Sequence, residues 1–405
     1  MVSGQKWLER RYLFYSAFTN LWFVGAVWLY FYRLFITDQQ VGFLDGMAFF
    51  VGLLAEIPAG AIADKFGRDR TVRTGQILAG SGLLIQATGS SFMPFFVGQS
   101  ILMIGASLVS GADDALFYQQ LGYDDSLKWR KLLTRAAQIT LLGSVVAYTA
   151  GGYLHGINPR LPWALTGVSF LVAALLIWPV KDTRPKTDRR KFADEVKDYL
   201  GNIKAGVLKF RMPELRLYVP LIITVQGLFY AAGWGILRLI LLSRFGFSPL
   251  LGAVLISACS LATVGILHLM HKNANRLSEK WVLSAIALAA AACLLFAIPG
   301  VGYWGALVIF VLYAGEHSLF PFMSEILNKH APEEQRATVL SVASFFRTLP
   351  YVGLAPLLGY LNTNHHLNYF LVTWPALILV SLIAYLSIQK QDSRIAFSDK
   401  QKNLS

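Results

Sequence analysis

Charge is scarce in this sequence. Only 15% of its 405 residues are Asp, Glu, Lys or Arg, while 55% are hydrophobic. A soluble domain usually carries about a quarter charged residues. A soluble chain this apolar could not cover its own surface, so the composition reads as a membrane protein. Cysteine is scarcer still. Cys259 and Cys293 both lie in apolar runs, which reads as reduced core residues and gives no disulfide framework. Also missing are a Gly-rich phosphate loop ending in GK[ST], an HExxH helix and a CxxC pair. Their absence argues against ATP hydrolysis by this chain, so neither enzyme activity nor a cofactor or metal is expected.

What is present is positive charge, a net +13. In a soluble protein that would suggest nucleic acid, but the distribution points elsewhere. Twelve apolar segments can be read, each near the ~20 residues that a bilayer requires. They cover 12–36, 41–63, 74–92, 94–121, 136–156, 161–180, 217–243, 249–270, 281–298, 302–327, 337–361 and 367–388. With the N-terminus in the cytosol, all 36 Lys and Arg except Arg33, Arg160, Arg238, Arg244 and Arg347 fall in cytosolic stretches. That bias sets orientation, because basic loops are translocated poorly. Both termini then lie on the cytosolic side of the cytoplasmic (inner) membrane. The first apolar segment exceeds the roughly 7–15 residues of a signal-peptide core, so no cleavable signal is expected. The expected partners are a small-molecule substrate, protons and membrane lipids, without nucleic acid, for a monomer.

The spans divide into two sets of six, an N-terminal bundle over 1–180 and a C-terminal one over 217–388, with a cytosolic tail over 389–405. Between the bundles, 181–216 is highly charged, yet Phe192, Val196, Leu200, Ile203 and Val207 recur at helical spacing. That pattern fits an amphipathic helix on the membrane surface or a solvated linker helix. A faint repeat relates the halves: Glu9 and Arg33 recur as Glu214 and Arg238, each 205 positions on. Two-fold repeats of this kind are the usual build of transporters.

A charge within the bilayer is costly and needs a reason. Glu56, eight residues before Asp64 and so ~12 Å along the helix, shares a face with Gly52 and Gly60. It reads as a proton or cation site, or else as a packing carboxylate bonded to a neighbouring helix. In the fourth span, Asp114 shares a stripe with Ser107, Ser110 and Tyr118, which points to a cavity wall. Asp113 lies on another face and is expected to meet a neighbouring helix or a basic partner such as Arg68. Glu316 in the tenth span is the first candidate to pair with Arg347 near the middle of the eleventh, as a substrate or proton site or as a static pair. Arg33 and Arg238, at the outer ends of the first and seventh spans, read as anion attractors or as side chains snorkelling to headgroups. Asn20 and Gln226 lie inside those two helices and can hydrogen-bond a solute. Candidate proton-coupling groups are thus Glu56, Asp114 and Glu316. Candidate cavity groups are Asn20, Gln226, Arg347, Tyr118, Arg33 and Arg238.

One short run carries a family pattern. Gly60-Ala61-Ile62-Ala63-Asp64-Lys65-Phe66-Gly67-Arg68 places a charged, glycine-bearing turn between two apolar segments, where Gly67 can supply the positive φ of a tight turn. The pattern Gly-x-x-x-Asp-Lys/Arg-x-Gly-Arg resembles the signature loop of the Major Facilitator Superfamily. The resemblance implies an all-α fold of twelve transmembrane helices in two pseudo-symmetric six-helix bundles, and secondary transport by alternating access. It also implies a conformational gate at Gly60, Asp64, Lys65, Gly67 and Arg68, joined by Asp113 or Asp114. Glu56-Ile57-Pro58-Ala59-Gly60 together with Ser110-Gly111-Ala112-Asp113-Asp114-Ala115 is similar to a bacterial exporter branch. The fifth-span run Ala147-Tyr148-Thr149-Ala150-Gly151-Gly152 keeps the Gly-Gly end of the antiporter motif but not its Gly-Pro. The expected function is proton-coupled export of a small organic or amphiphilic solute. The alternatives are proton-coupled import of an organic anion or chelate, and lipid flipping.

Overall fold

The computed structural model describes residues 2–123, 126–183, 204–272, 278–333 and 336–402, together with 197 and 201. Every regular element among the described residues is helical. Those of five or more residues are, in order, α1 (Val2–Thr19), α2 (Trp28–Tyr32), α3 (Asp38–Phe66), α4 (Arg68–Thr88), α5 (Phe92–Val109), α6 (Ala112–Leu121), α7 (Ser126–Ile157) and α8 (Leu161–Ile177). There follow α9 (Val219–Gly233), α10 (Ile236–Arg244), α11 (Pro249–Lys272), α12 (Glu279–Phe296), α13 (Gly305–His330), α14 (Arg336–Thr363) and α15 (Leu367–Lys402). Half of the stretch 181–216 expected to form the linker helix, including Phe192, Val196, Leu200 and Ile203 of its apolar stripe, lies outside the described residues.

Seven described helices are long and apolar enough to cross a bilayer, or eight if α9 and α10, bent by 67°, count as one broken span. Length and composition alone therefore do not reach the expected twelve, and local chemistry explains why. The first expected span is not one helix: α1 ends at Thr19, and the chain turns through 20–27 before α2. The third opens on Arg68, Asp69, Arg70 and Arg73, and its helix stops at Thr88 rather than at 92. The sixth holds only 17 helical residues.

Packing gathers the chain into two compact units. One comprises Met1–Leu200 with Phe247–Leu261, the other Gly201–Gly246 with Ala262–Ser405. The first is organised around α4, whose glycines let backbones meet. A Cβ on Gly105 of α5 would stand 2.5 Å from the carbonyl oxygen of Gly75, and one on Gly98 would stand 2.6 Å from that of Gly82. Across α4, a Cβ on Gly80 would lie 2.8 Å from the Gly167 carbonyl oxygen of α8. Lipid tails are as apolar as leucine, so helices in a membrane associate through such close backbone packing rather than through hydrophobic burial. The Gly151-Gly152 pair of α7 serves the same end. Gly151 abuts the Phe23 carbonyl, and a Cβ on Gly152 would lie 2.6 Å from that of Ala253.

In the second unit, tightly packed glycines meet side chains instead, Gly305 the Phe245 ring and Gly315 the Phe229 ring. Its helix α9 packs on α13 and α14, and α12 on α13 and α15. Phe229, Tyr218, Tyr351 and Tyr385 are fully buried there. Tyr218 donates to Glu279 at the start of α12, and the Trp374 indole donates to the Thr224 carbonyl at 3.0 Å. That carbonyl lies within a π-helical turn, Ile222–Gln226.

Candidate functional site

In the second unit, the bend after α9 shapes the site. Helix α9 ends on Gly233, and a Cβ there would come within 2.6 Å of the Glu316 side chain, so the absence of one seats Glu316 against α9. Gly235 lies against the Tyr351 ring. The Tyr351 hydroxyl accepts from the Ile236 N–H at 2.7 Å, satisfying one of the free amides at the start of α10. Glu316 is 5% exposed and accepts from Arg347 Nη1 at 2.9 Å. The expected ion pair therefore forms. The Trp234 indole also hydrogen-bonds Glu316. The Arg347 guanidinium lies 4.1 Å from the Phe320 ring centre and 5.0 Å from that of Tyr230. Aromatic faces attract such a cation most when water is excluded. Gln226 is buried one turn before Tyr230, and its amide nitrogen has no hydrogen-bond partner among the described residues.

Arg238 corrects one expectation. It is 6% exposed and lies over the Tyr313 ring at 5.9 Å, rather than snorkelling from an outer end. It sits in the first turn of α10, just after the 67° bend. His317 stacks on Tyr313 at 4.4 Å, with its Nδ1 at 3.0 Å from the Tyr313 carbonyl oxygen.

In the first unit, the expected continuous fourth helix is broken. Ser110 leaves the helical region and Gly111 adopts φ +72°, which ends α5 and starts α6. Ser107 and Ser110 therefore do not share a helical stripe with Asp114 and Tyr118. Ser107 donates to the Gly52 carbonyl at 2.8 Å. Both aspartates sit in the first turn of α6, where negative charge is favoured. Tyr12 donates to Asp114 at 2.7 Å, and Tyr15, one turn along α1, donates to Asp113 at 3.0 Å. Gln76 of α4 donates to the Tyr15 hydroxyl at 2.8 Å. Asp113 thus meets a hydroxyl and not Arg68. Tyr118 is exposed and packs edge-on to Trp129 at 5.3 Å. In the turn after α6, Tyr123 donates to Glu9 at 2.6 Å. Burial and this carboxylate hold its phenol above the usual range.

The signature turn is closed by Gly67 at φ +93°, whose N–H returns to the Ala63 carbonyl at 3.0 Å. Its partners were not visible in the local sequence. The Arg68 N–H donates to Asp182 at 2.9 Å, and Asp69 lies 4.0 Å from Lys181, both in the segment after α8. Asp64 and Lys65 are exposed, and the Lys65 ammonium stands over the Phe66 ring at 5.2 Å. Gly52 is buried, with a Cβ position 3.2 Å from Met103, but Gly60 is exposed and faces open space, so it is not a close-packing glycine within this unit. Glu56 is exposed on α3 and makes no hydrogen bond or ion pair with any described residue.

At the other end of α3, Arg33 forms a two-bond pair with Asp38, at 2.7 and 2.6 Å, which ties it to a neighbouring carboxylate. A Thr37–Gln40 capping box opens the helix there. Asn20 turns back on its own chain, donating to the Ser16 carbonyl at 2.9 Å. No group of three His, Cys, Asp or Glu side chains among the described residues converges as a metal site would.

A family model described as the Major Facilitator Superfamily matches residues 12–355. The chain is 21% identical over 364 residues to an uncharacterized MFS-type transporter, YxaM, of Bacillus subtilis (strain 168), covering 87% of this chain and 88% of that protein. Multidrug resistance protein 2 of the same organism is 23% identical over 251 residues, covering 60% of each. Among solved structures, the peptide transporter POT in complex with sulfate matches with TM-score 0.72 at 16% identity, over 96% of this chain and 95% of that one. The nucleoside transporter NupG matches with TM-score 0.71 at 13% identity, over 94% and 99%.

Proposed function

This chain belongs to the Major Facilitator Superfamily, and from that premise we propose that it exports a small organic or amphiphilic solute in exchange for protons, by alternating access. It is a multi-pass membrane transporter rather than an enzyme. Its placement in the cytoplasmic membrane with both termini cytosolic follows from the basic loops.

The observation that carries the proton-coupled reading is Glu56. It lies well inside a 29-residue apolar helix and has no partner among the described residues. An unpaired carboxylate in hydrocarbon is costly when ionised, and taking up a proton removes that cost. A group that is neutral on one side of the membrane and ionised on the other carries a proton between them. Pro58 follows two residues later inside the helix. Proline cannot donate to the carbonyl one turn back, which loosens a helix at that point. Asp114, whose carboxylate accepts from the neutral hydroxyl of Tyr12, is the second candidate carrier. The charged turn at Asp64, Lys65, Gly67 and Arg68 is the proposed gate, and Asp182 is its anchor within the first unit. Similarity to a protein named for multidrug resistance supports the outward direction.

The test is flux. Purified protein in liposomes, with an imposed pH gradient, is offered a panel of amphiphilic dyes and organic acids. At least one solute should move against its gradient and stop when a protonophore collapses the pH difference. Accumulation that is indifferent to the protonophore would contradict proton coupling.

A further inference from the structure

Arg347 is held against two aromatic rings and along one edge, and its other edge makes no hydrogen bond among the described residues. The guanidinium lies over the Phe320 and Tyr230 rings, at 4.1 and 5.0 Å from their centres. Nη1 donates to Glu316 at 2.9 Å, the one hydrogen bond this side chain makes among the described residues. Nε is buried without a partner among the described residues. A guanidinium offers five N–H donors in a rigid fork, so most of this one's capacity goes unmet in a side chain only 13% exposed. A buried donor left without an acceptor costs its full desolvation. Water or a ligand therefore has to meet it.

The same neighbourhood holds a second orphan. The Gln226 amide nitrogen is buried without a partner among the described residues, at 3% exposure. It lies one turn before Tyr230, the ring that covers Arg347, and the next residue, Gly227, has its Cβ position 3.7 Å from the Arg347 carbonyl oxygen. This end of the π-helical turn thus runs directly against the Arg347 turn of α14. Single π turns inside α-helices occur often at functional sites. Two donors lack acceptors among the described residues, and Glu316 already occupies the opposite edge of the fork.

We propose that the transported solute carries an oxyanion, a carboxylate or a phosphate ester, bound in two-pronged fashion by the Nε–Nη2 edge of Arg347 with the Gln226 amide as a further donor. The Nε–Nη2 edge matches the two oxygens of such a group. Lysine at this position would keep the charge and lose the fork. Glu316 competes with the ligand for the guanidinium charge, so neutralising Glu316 strengthens binding. The proposal names the substrate class within the transport reading above and rests on that reading. Its test uses binding alone, so the two can fail separately.

The experiment measures thermal unfolding of the purified full-length protein in detergent with benzoate, phenyl phosphate or neutral benzamide. Benzoate or phenyl phosphate should raise the Tm of wild type, and the stronger of the two identifies the oxyanion. Glu316→Gln should bind it about tenfold more tightly. Arg347→Lys should abolish the shift, and benzamide should give none. Gln226→Leu, which leaves the ion pair intact, should weaken binding several-fold and serves if Arg347→Lys does not fold. The proposal is overturned if neither anion shifts wild type or Glu316→Gln. It is equally overturned if benzamide matches them, or if the shift survives both Arg347→Lys and Gln226→Leu. Oxyanion binding without protonophore-sensitive flux would leave this site standing and sink the proton-coupled reading.

Discussion

The two units place carboxylates among apolar helices and satisfy them in opposite ways. In the first, Asp113 and Asp114 accept hydrogen bonds from Tyr15 and Tyr12, neutral donors that leave the negative charge uncompensated. In the second, Glu316 faces Arg347 at 2.9 Å, and the pair is neutral as a whole. The backbones differ in parallel. Glycines bring backbone against backbone between α4, α5 and α8, whereas the tightly packed glycines of the second unit meet side chains, Gly233 on Glu316 and Gly315 on Phe229. The difference teaches where each unit is fragile. Losing a hydroxyl removes one bond, but losing either member of a buried ion pair strands a charge. A Cβ forced between touching backbones has nowhere to go.

The sharpest way to break this comparison is Arg347→Met. Stranding Glu316 should cost about 3–5 kcal/mol, and adding Glu316→Gln should recover most of it. Thermal unfolding in detergent reads both, and a single variant as stable as wild type would remove the contrast between the units. Next is Gly105→Leu, expected to cost about 3 kcal/mol, the upper end for overpacking, because the Gly75 carbonyl cannot yield. Gly60→Ala, facing open space, should stay within about 0.5 kcal/mol. Equal losses at the two positions would show that glycine contacts do not hold the first unit. Tyr15→Phe should cost about 2 kcal/mol, as hydrogen bonds to charged groups do. Tyr12→Phe should cost only about 0.5 kcal/mol, since water can replace its bond to the exposed Asp114. A reversed order would mean that Asp114 is the carboxylate shielded from water.

Parts of this arrangement were legible in the sequence, and the physics says which. The turn at Gly67 was, because a charged turn between close helices calls for positive φ. So was the carboxylate facing Arg347, because an arginine inside an apolar span demands one. The break at Gly111 was not. Apolar residues run through it, hydropathy does not register a change in φ, and the stripe joining Ser107 to Asp114 dissolved with it. Arg238 misled for a related reason: its match to Arg33 was one of sequence offset, whereas the chain bends by 67° just before it and it is buried. Asp182 lies 114 residues from its partner Arg68, beyond the reach of any local pattern. Two signals were present and went unused. Asp38 stands five residues after Arg33, at the first position of a helix. Gly75 and Gly82 repeat at the same interval as Gly98 and Gly105, two helical turns, as facing small-residue stripes require.

The account stands most directly on Glu56. In inside-out vesicles energised with an acidic lumen, addition of a transported solute should release lumenal protons through the wild-type protein. Glu56→Gln, correctly folded and present at equal density, should release none. Proton release by Glu56→Gln at the wild-type rate would contradict the claim that this carboxylate carries the proton.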